Sequence, residues 1–296
     1  MQTITPHLWF DQEAKEAAEL YVSAFGAGSQ IVHVSQIHDT PSGSVDIVSF
    51  EILGQRFQAI SAGPLFKFNP SISFHVKCQT AAEVDALWKR LSPGGQALMP
   101  LDTYPWSERF GWLQDTYGLS WQLISTGGQP VAQRIVPALM FVGAVAGKAE
   151  EAILFYTSVF RNSKVQLVQH YGPEAAPEKE GSLQYGSFML DGREFGALDS
   201  ARDHKFAFNE AISLVVNCRN QEEIDYYWSK LSAVPAAEQC GWLKDQFGVS
   251  WQVVPTQMDD MLERGTKDQI ARVTQAFLKM KKFDLAELQR AYDGRG

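Results

Sequence analysis

The stretch Phe110-Gly111-Trp112-Leu113-Gln114-Asp115-Thr116-Tyr117-Gly118-Leu119-Ser120-Trp121-Gln122-Leu123 returns 130 positions later as Cys240-Gly241-Trp242-Leu243-Lys244-Asp245-Gln246-Phe247-Gly248-Val249-Ser250-Trp251-Gln252-Val253. Each copy reads as a strand ending in Gly-Trp-Leu, a four-residue turn opened by Asp and closed by Gly, and a second strand. Successive side chains on a strand alternate, so Trp121 and Gln122, like Trp251 and Gln252, belong to opposite faces. Asp caps the turn with its carboxylate and Gly accepts a positive φ, which gives the hairpin a physical basis.

Working outward, other segments repeat at the same distance. Ile4-Thr5-Pro6-His7-Leu8-Trp9-Phe10 aligns with Ile135-Val136-Pro137-Ala138-Leu139-Met140-Phe141, and Gly54-Gln55-Arg56-Phe57 with Gly192-Arg193-Glu194-Phe195. Phe68-Asn69-Pro70-Ser71-Ile72-Ser73-Phe74 answers to Phe208-Asn209-Glu210-Ala211-Ile212-Ser213-Leu214, and Trp88-Lys89-Arg90-Leu91-Ser92 to Trp228-Ser229-Lys230-Leu231-Ser232. A period near 130 is too long for a solenoid unit and fits a duplicated domain.

Within each copy the pattern alternates between strand and helix. Residues 4–10 read as a short apolar strand, followed by a helix with Asp11 as N-cap, a stripe of Ala14, Ala17, Ala18, Tyr21 and Phe25, and Gly26 as its stop. Strands are expected at 31–37, 45–53 and 56–61, with Gly54-Gln55 as a hairpin turn, and at 72–77. Thr80-Ala81-Ala82-Glu83 reads as a capping box opening a second helix, and Asn220-Gln221-Glu222-Glu223 is its counterpart. Each repeat thus holds modules of one strand, one helix and three strands. The Gly/Pro-containing stretch 125–130 separates residues 1–126 from 131–255 as two domains, and 256–296 forms a helical tail. Thr266-Lys267-Asp268-Gln269 caps a stripe of Ile270, Val273, Phe277 and Met280, and Asp284 opens a last short helix with Leu288 and Tyr292. An amphipathic tail of this kind packs on the body or on the mate in a homodimer.

Composition excludes several classes. A net charge of −8 argues against a general binder of nucleic acid or anionic membranes. No apolar run approaches the roughly 20 residues of a membrane span, and Met1-Gln2-Thr3-Ile4-Thr5-Pro6 lacks the order of a signal peptide. Cys78, Cys218 and Cys240 are odd in number and unpaired in spacing, as expected of reduced thiols in a cytoplasmic protein. There is no Gly-rich strand-to-helix turn for an adenosyl cofactor, no P-loop and no Gly-x-Ser-x-Gly elbow.

The modules, with Pro6-His7-Leu8-Trp9-Phe10, Gly54-Gln55-Arg56-Phe57, Phe66-Lys67-Phe68-Asn69 and the two hairpins, resemble the vicinal oxygen chelate superfamily of glyoxalase I, the bleomycin- and fosfomycin-resistance proteins and the extradiol dioxygenases. The closer resemblance is to its PhnB-like branch, often labelled after a 3-demethylubiquinone methyltransferase. It covers about residues 3–255 and implies an α+β fold: tandem domains, each of two βαβββ modules, followed by the helical extension. In metal-using relatives a divalent ion sits in a cup with ligands from the first strand, the strand opening the second module and the last strand. Those positions fall on His7, His75 and Gln122 in repeat one, and on Ala138, Val215 and Gln252 in repeat two. The last ligand is commonly Glu, and here it is Gln twice. Unswapped modules would gather His7, His75 and Gln122. Swapped modules would instead give His7, Val215, Gln252 and Ala138, His75, Gln122.

Two imidazoles suit Zn²⁺, Ni²⁺ or Fe²⁺, but an amide supplies no compensating charge, so the reading favours a cup without a metal. Trp9, Trp112, Trp121, Trp242, Trp251 and Gln252 are the candidate contacts for a small-molecule ligand. His7 and His75 also fit as hydrogen-bonded core residues, Gln122 and Gln252 as polar groups orienting a ligand, and Lys67 and Asn69 as rim or turn residues. The sequence therefore points to a protein that binds a small organic molecule. The alternative is a metal-dependent enzyme of the glyoxalase, transferase or dioxygenase type using His7, His75 and Gln122.

Overall fold

The computed structural model describes residues 3–40 and 43–295; Met1 and Gln2, part of the N-terminal stretch read above, lie outside them. The first module comprises β1 (Ile4–Phe10), α1 (Ala14–Phe25), β2 (Gln30–Thr40), β3 (Gly43–Ile52) and β4 (Gln55–Ser61). The second comprises β5 (Ile72–Cys78), α2 (Ala81–Leu91), β6 (Gln96–Tyr104), β7 (Ser107–Gln114) and β8 (Ser120–Ser125). The third has β9 (Ile135–Phe141), α3 (Ala149–Val159), β10 (Lys164–His170), β11 (Leu183–Leu190) and β12 (Arg193–Asp199). The fourth is one strand shorter, with β13 (Ile212–Cys218), α4 (Gln221–Leu231), β14 (Trp242–Lys244) and β15 (Ser250–Pro255). A 3₁₀ turn at Pro235–Ala237 stands where the second module has β6.

The modules are exchanged between the repeats. One sheet runs β14-β15-β13-β1-β4-β3-β2 and joins modules one and four; the other runs β10-β11-β12-β9-β5-β8-β7-β6 and joins modules two and three. The seams are antiparallel, Ile4↔Val216 to Leu8↔Ile212 in the first sheet and Ile72↔Leu139 to Val76↔Ile135 in the second. Helices α1–α4 lie against one face of these sheets, where a single core includes Leu8, Phe10, Tyr21, Phe57, Phe74, Trp121, Phe141, Tyr156 and Trp251. Burying each large side chain of this set contributes about 2–3 kcal/mol. The opposite faces carry Thr5, His7 and Trp9 in the first sheet and Ser73, His75 and Lys77 in the second, because side chains alternate along a strand.

The repeated hairpin holds each half together. Gly118 and Gly248 take φ of +87° and +86°, and the Gly118 amide donates to the Asp115 carbonyl at 2.9 Å. Asp245 is 1% exposed. Its Oδ1 accepts from the amides of Phe247 and Val249, and its Oδ2 from Trp251 Nε1 at 2.8 Å and Tyr156 Oη at 2.7 Å. Asp115 accepts likewise from Tyr117, Leu119 and Trp121 Nε1. One carboxylate thus ties turn, strand and core.

Some local expectations shift. The cap of α1 is Glu13, not Asp11, and the Ala14 amide is met by Ser61 Oγ. The β3–β4 turn is carried by Leu53 and Gly54, both at positive φ, one residue earlier than the Gly54-Gln55 expected from the sequence. Thr80 and Asn220 do cap α2 and α4. The tail packs on the body as α5 (Thr256–Arg264), α6 (Lys267–Phe277) and α7 (Leu285–Asp293), of which α5 is absent from the sequence-based expectation. Thr266 and Gln269 form the expected capping box, and Asp284 caps α7.

Asp245→Ala removes the acceptor from two side-chain and two backbone donors. It should lower stability by about 3 kcal/mol or more in denaturant unfolding, whereas the same change at exposed Asp203 should cost less than about 0.5 kcal/mol.

Candidate functional site

The exchange of modules decides which residues meet. His7 lies on β1 beside Gln58 and Ser213, and Gln252 lies on β15 with its Nε2 donating to Ser213 Oγ at 2.9 Å. His75 lies in the other sheet, opposite Gln122 on β8 and Val136 on β9, and Gln122 Nε2 donates to Ser73 Oγ at 2.9 Å. The expected trio of His7, His75 and Gln122 is therefore divided: His75 and Gln122 stay together and His7 goes to the other sheet. Each sheet thus keeps one of the two candidate imidazoles beside one of the two repeated glutamines. Among the described residues no group of three or more His, Cys, Asp or Glu is arranged to hold a metal ion. The residues present do not fit the metal set that the resemblance implies.

The tryptophans divide as well. Leu113 pairs with Trp121 and Trp112 with Gln122, so Trp112 shares the concave face while Trp121 turns to the core. Trp121 and Trp251 are fully buried, against Tyr21 and Phe25 and against Tyr156 and Phe160 respectively. Both are candidate ligand contacts by sequence. Their place is structural, because alternation sends the Trp of Ser-Trp-Gln inward whenever its Gln faces the cup. Trp9 and Trp242 remain on the first concave face with ring centroids 6.1 Å apart, and His7 stands edge-on to Trp242 at 5.5 Å.

The two faces differ in access. In the first sheet His7 is 8% and Gln252 7% exposed, under a cluster formed by Trp9, Ile37, Val45, Ile47 and Ile60 with Met258, Met261, Phe277 and Met280 of the tail. In the second sheet His75, Gln122, Trp112 and Tyr185 are all half-buried. The Tyr185 ring lies nearly parallel to His75 with centroids 6.0 Å apart, and Lys77 Nζ is held by both Glu194 oxygens at 2.7 and 2.8 Å. His75 Nε2 is buried without a hydrogen-bond partner.

Burial pulls His7 down to about 4, and burial together with the Lys77 charge does the same for His75. Burial and the nearby Glu194 push the Tyr185 hydroxyl up to about 12. At neutral pH this face therefore presents a neutral imidazole, an amide, a hydroxyl donor and an internally neutralised ion pair. The Cys78 and Cys218 thiols, raised to about 12 by burial, are not nucleophiles. Asn69 and Asn209 are turn residues: each receives an amide two positions on and donates to a carbonyl in the other repeat. Lys67 is exposed at the rim of a cleft of about 500 Å³ beside Trp9, Phe66 and Tyr117.

The family model described as 3-demethylubiquinone-9 3-methyltransferase matches residues 2–124 and again 133–254. The chain belongs to this family. A PhnB protein from Bacillus cereus, described with the same name, is 38% identical over 42% of this chain and 100% of its own, with a TM-score of 0.39. Over 89% of this chain and 98% of its own, glyoxalase I from Zea mays is 12% identical with a TM-score of 0.51, which establishes the shared fold. The fosfomycin resistance protein FosX from Listeria monocytogenes is 17% identical over 40% of this chain and 88% of its own, with a TM-score of 0.32. No curated protein matches. The chain is thus a tandem pair of vicinal-oxygen-chelate domains. No helix among the described residues is long and apolar enough to cross a membrane.

Ser73 and Ser213, which hold the two glutamines, are visible in the repeat alignment but carry no functional signal there. Tyr185 and Glu194 carry none either, since they reach His75 and Lys77 only through the exchange.

Because the folded-state value of His7 lies below that of a free imidazole, its contribution to stability is present above pH 6.5 and is lost as pH falls through about 4. His7→Gln should flatten the loss between pH 6.5 and 4 by about 2–3 kcal/mol in urea titrations at each pH.

Proposed function

We propose that the protein binds a small, neutral organic molecule on the open concave face of its second sheet, at His75, Gln122, Trp112 and Tyr185. The observation that carries this reading is the half-buried pair His75 and Gln122, with His75 Nε2 lacking a partner beside an aromatic ring. A buried polar atom without a partner is costly, and a ligand group that bonds to it removes the cost. The imidazole and amide would supply directional hydrogen bonds, while Trp112 and Tyr185 would supply apolar area, the usual makeup of a small-molecule site. The neutral charge state of the face favours an uncharged or internally balanced ligand.

Metal-dependent chemistry at His7, His75 and Gln122 has no support in the arrangement, since His7 is in the other sheet. A cytoplasmic location fits three free thiols, two of them buried. The methyltransferase name is a family description and supplies no cofactor site here.

Native mass spectrometry of gently purified protein, together with ligand-detected NMR against a panel of aromatic and vicinal-diol fragments, tests the binding. Wild type should retain or take up a ligand, and His75→Ala and Gln122→Ala should each weaken binding about tenfold or more. Binding unaltered by both variants would sink the assignment to this face. Stoichiometric Zn, Ni or Fe in protein purified without chelator, lost on His75→Ala, would overturn the metal-free reading.

A further inference from the structure

The tail begins and ends on module four. Helix α5 continues directly from β15, and Gln257 Nε2 donates to the Arg219 carbonyl at 2.7 Å. Beyond α6, the amides of Cys240 and Gly241 donate to the carbonyls of Met280 and Lys281, where the fourth module lacks a counterpart of β6. Phe283 lies against Gly241, where a Cβ would come within 2.5 Å of its ring. Lys282 pairs with Asp225 and Lys281 with Glu238. Between these anchors α6 crosses to β2 of module one, where apolar residues of both form the cluster over the concave face.

That closed cover leaves polar groups unmet. Across the concave face of the first sheet a lateral row runs His33, Ser49, Gln58, His7 and Ser213. His7 Nδ1 and His33 Nε2 on the sheet, and Thr274 Oγ1 on α6, are buried without hydrogen-bond partners. A cavity of about 290 Å³ remains between α5 and this row, floored by Thr5, Ser49 and Gln58. Unsatisfied atoms on both sides of a contact weaken it relative to an apolar seal.

We propose that helices α5–α7 are a displaceable strap: they close the concave face of the first sheet, and the elbow between α5 and α6 lifts from β2 and β3 to admit small polar molecules to the row from His33 to His7.

Asp259 on α5 makes the closure pH-sensitive. It faces Asp260, Glu263 and Arg264 of its own helix, His33 of β2 and Arg56 of β4, with neutral Thr5, Ser49 and Asn217 on β1, β3 and β13. Arg264 pairs with Asp260 and Arg56 with Glu51. Burial first, then Glu263 and Asp260, raises the Asp259 carboxyl to about 6. A group raised in the closed state stabilises closure at low pH, and that stability is lost as pH rises through about 6. Uncovering His7, whose imidazole burial holds down to about 4, has the opposite linkage, so the Asp259 contribution is the ratio of opening in wild type to that in Asp259→Asn, which should grow about tenfold from pH 5 to pH 7.

Diethyl pyrocarbonate, a small reagent for neutral imidazole, reports entry directly when His7 modification is read by peptide mass spectrometry on the full chain, with hydrogen exchange of residues 256–277 alongside. Wild type and variants are compared at the same pH and reagent concentration, so that imidazole ionisation and reagent hydrolysis cancel. The wild-type to Asp259→Asn ratio of His7 modification should be about tenfold higher at pH 7 than at pH 5, and strap amides should exchange faster than those of β1 and β13. Asp259→Asn should slow both readouts at pH 7, and Thr274→Val, which replaces the unmet hydroxyl by a methyl, should slow them several-fold at either pH. The proposal is overturned if His7 reacts and the strap exchanges only at the rate of β1 and β13, or if neither variant shifts those rates.

Discussion

Two antiparallel seams, β1 against β13 and β9 against β5, govern what this molecule can do. They commit the first and fourth modules to one sheet and the second and third to the other. Each sheet is then built from both repeats, and its concave face draws residues from both. That is why Tyr185 joins His75 and Glu194 joins Lys77 from the other repeat, and why His7 finds Trp242 and Gln252. The divided imidazoles follow from backbone pairing, so side-chain rotation cannot bring them together.

The duplication is not symmetric. Module four lacks the strand that corresponds to β6, and the carbonyls of Met280 and Lys281 accept from the amides of Cys240 and Gly241. Filling that edge carries the tail across the first concave face. The result is one face covered by Met258, Met261, Phe277 and Met280, and one whose His75 and Gln122 stay half-exposed. The same repeat thus supplies two faces with different access, and the proposed binding site and the proposed strap rest on separate halves of that difference.

Much of this is legible in the residues. The Asp-x-x-Gly turn, the alternation of Trp and Gln, the caps Thr80, Asn220, Thr266 and Asp284, and the apolar stripes of α1 and α6 are short-range features, fixed within a few residues by hydrogen bonding and side-chain period. Helix α5 escapes a reading of the sequence because it opens directly after Pro255 without a side-chain cap. The Asp11 cap is misplaced by such a reading because Ser61, far away in sequence, meets the helix amide instead.

The sequence by itself determined the duplication, the superfamily fold, and the sorting of Trp121 and Trp251 to the face opposite their neighbouring glutamines. It could state both ways of pairing the modules but not choose between them. The apolar pattern of β1 and β5 is satisfied equally by a partner from the same repeat or from the other. Only the tertiary structure chose, through pairings between strands distant in sequence, and with that choice it separated His7 from His75.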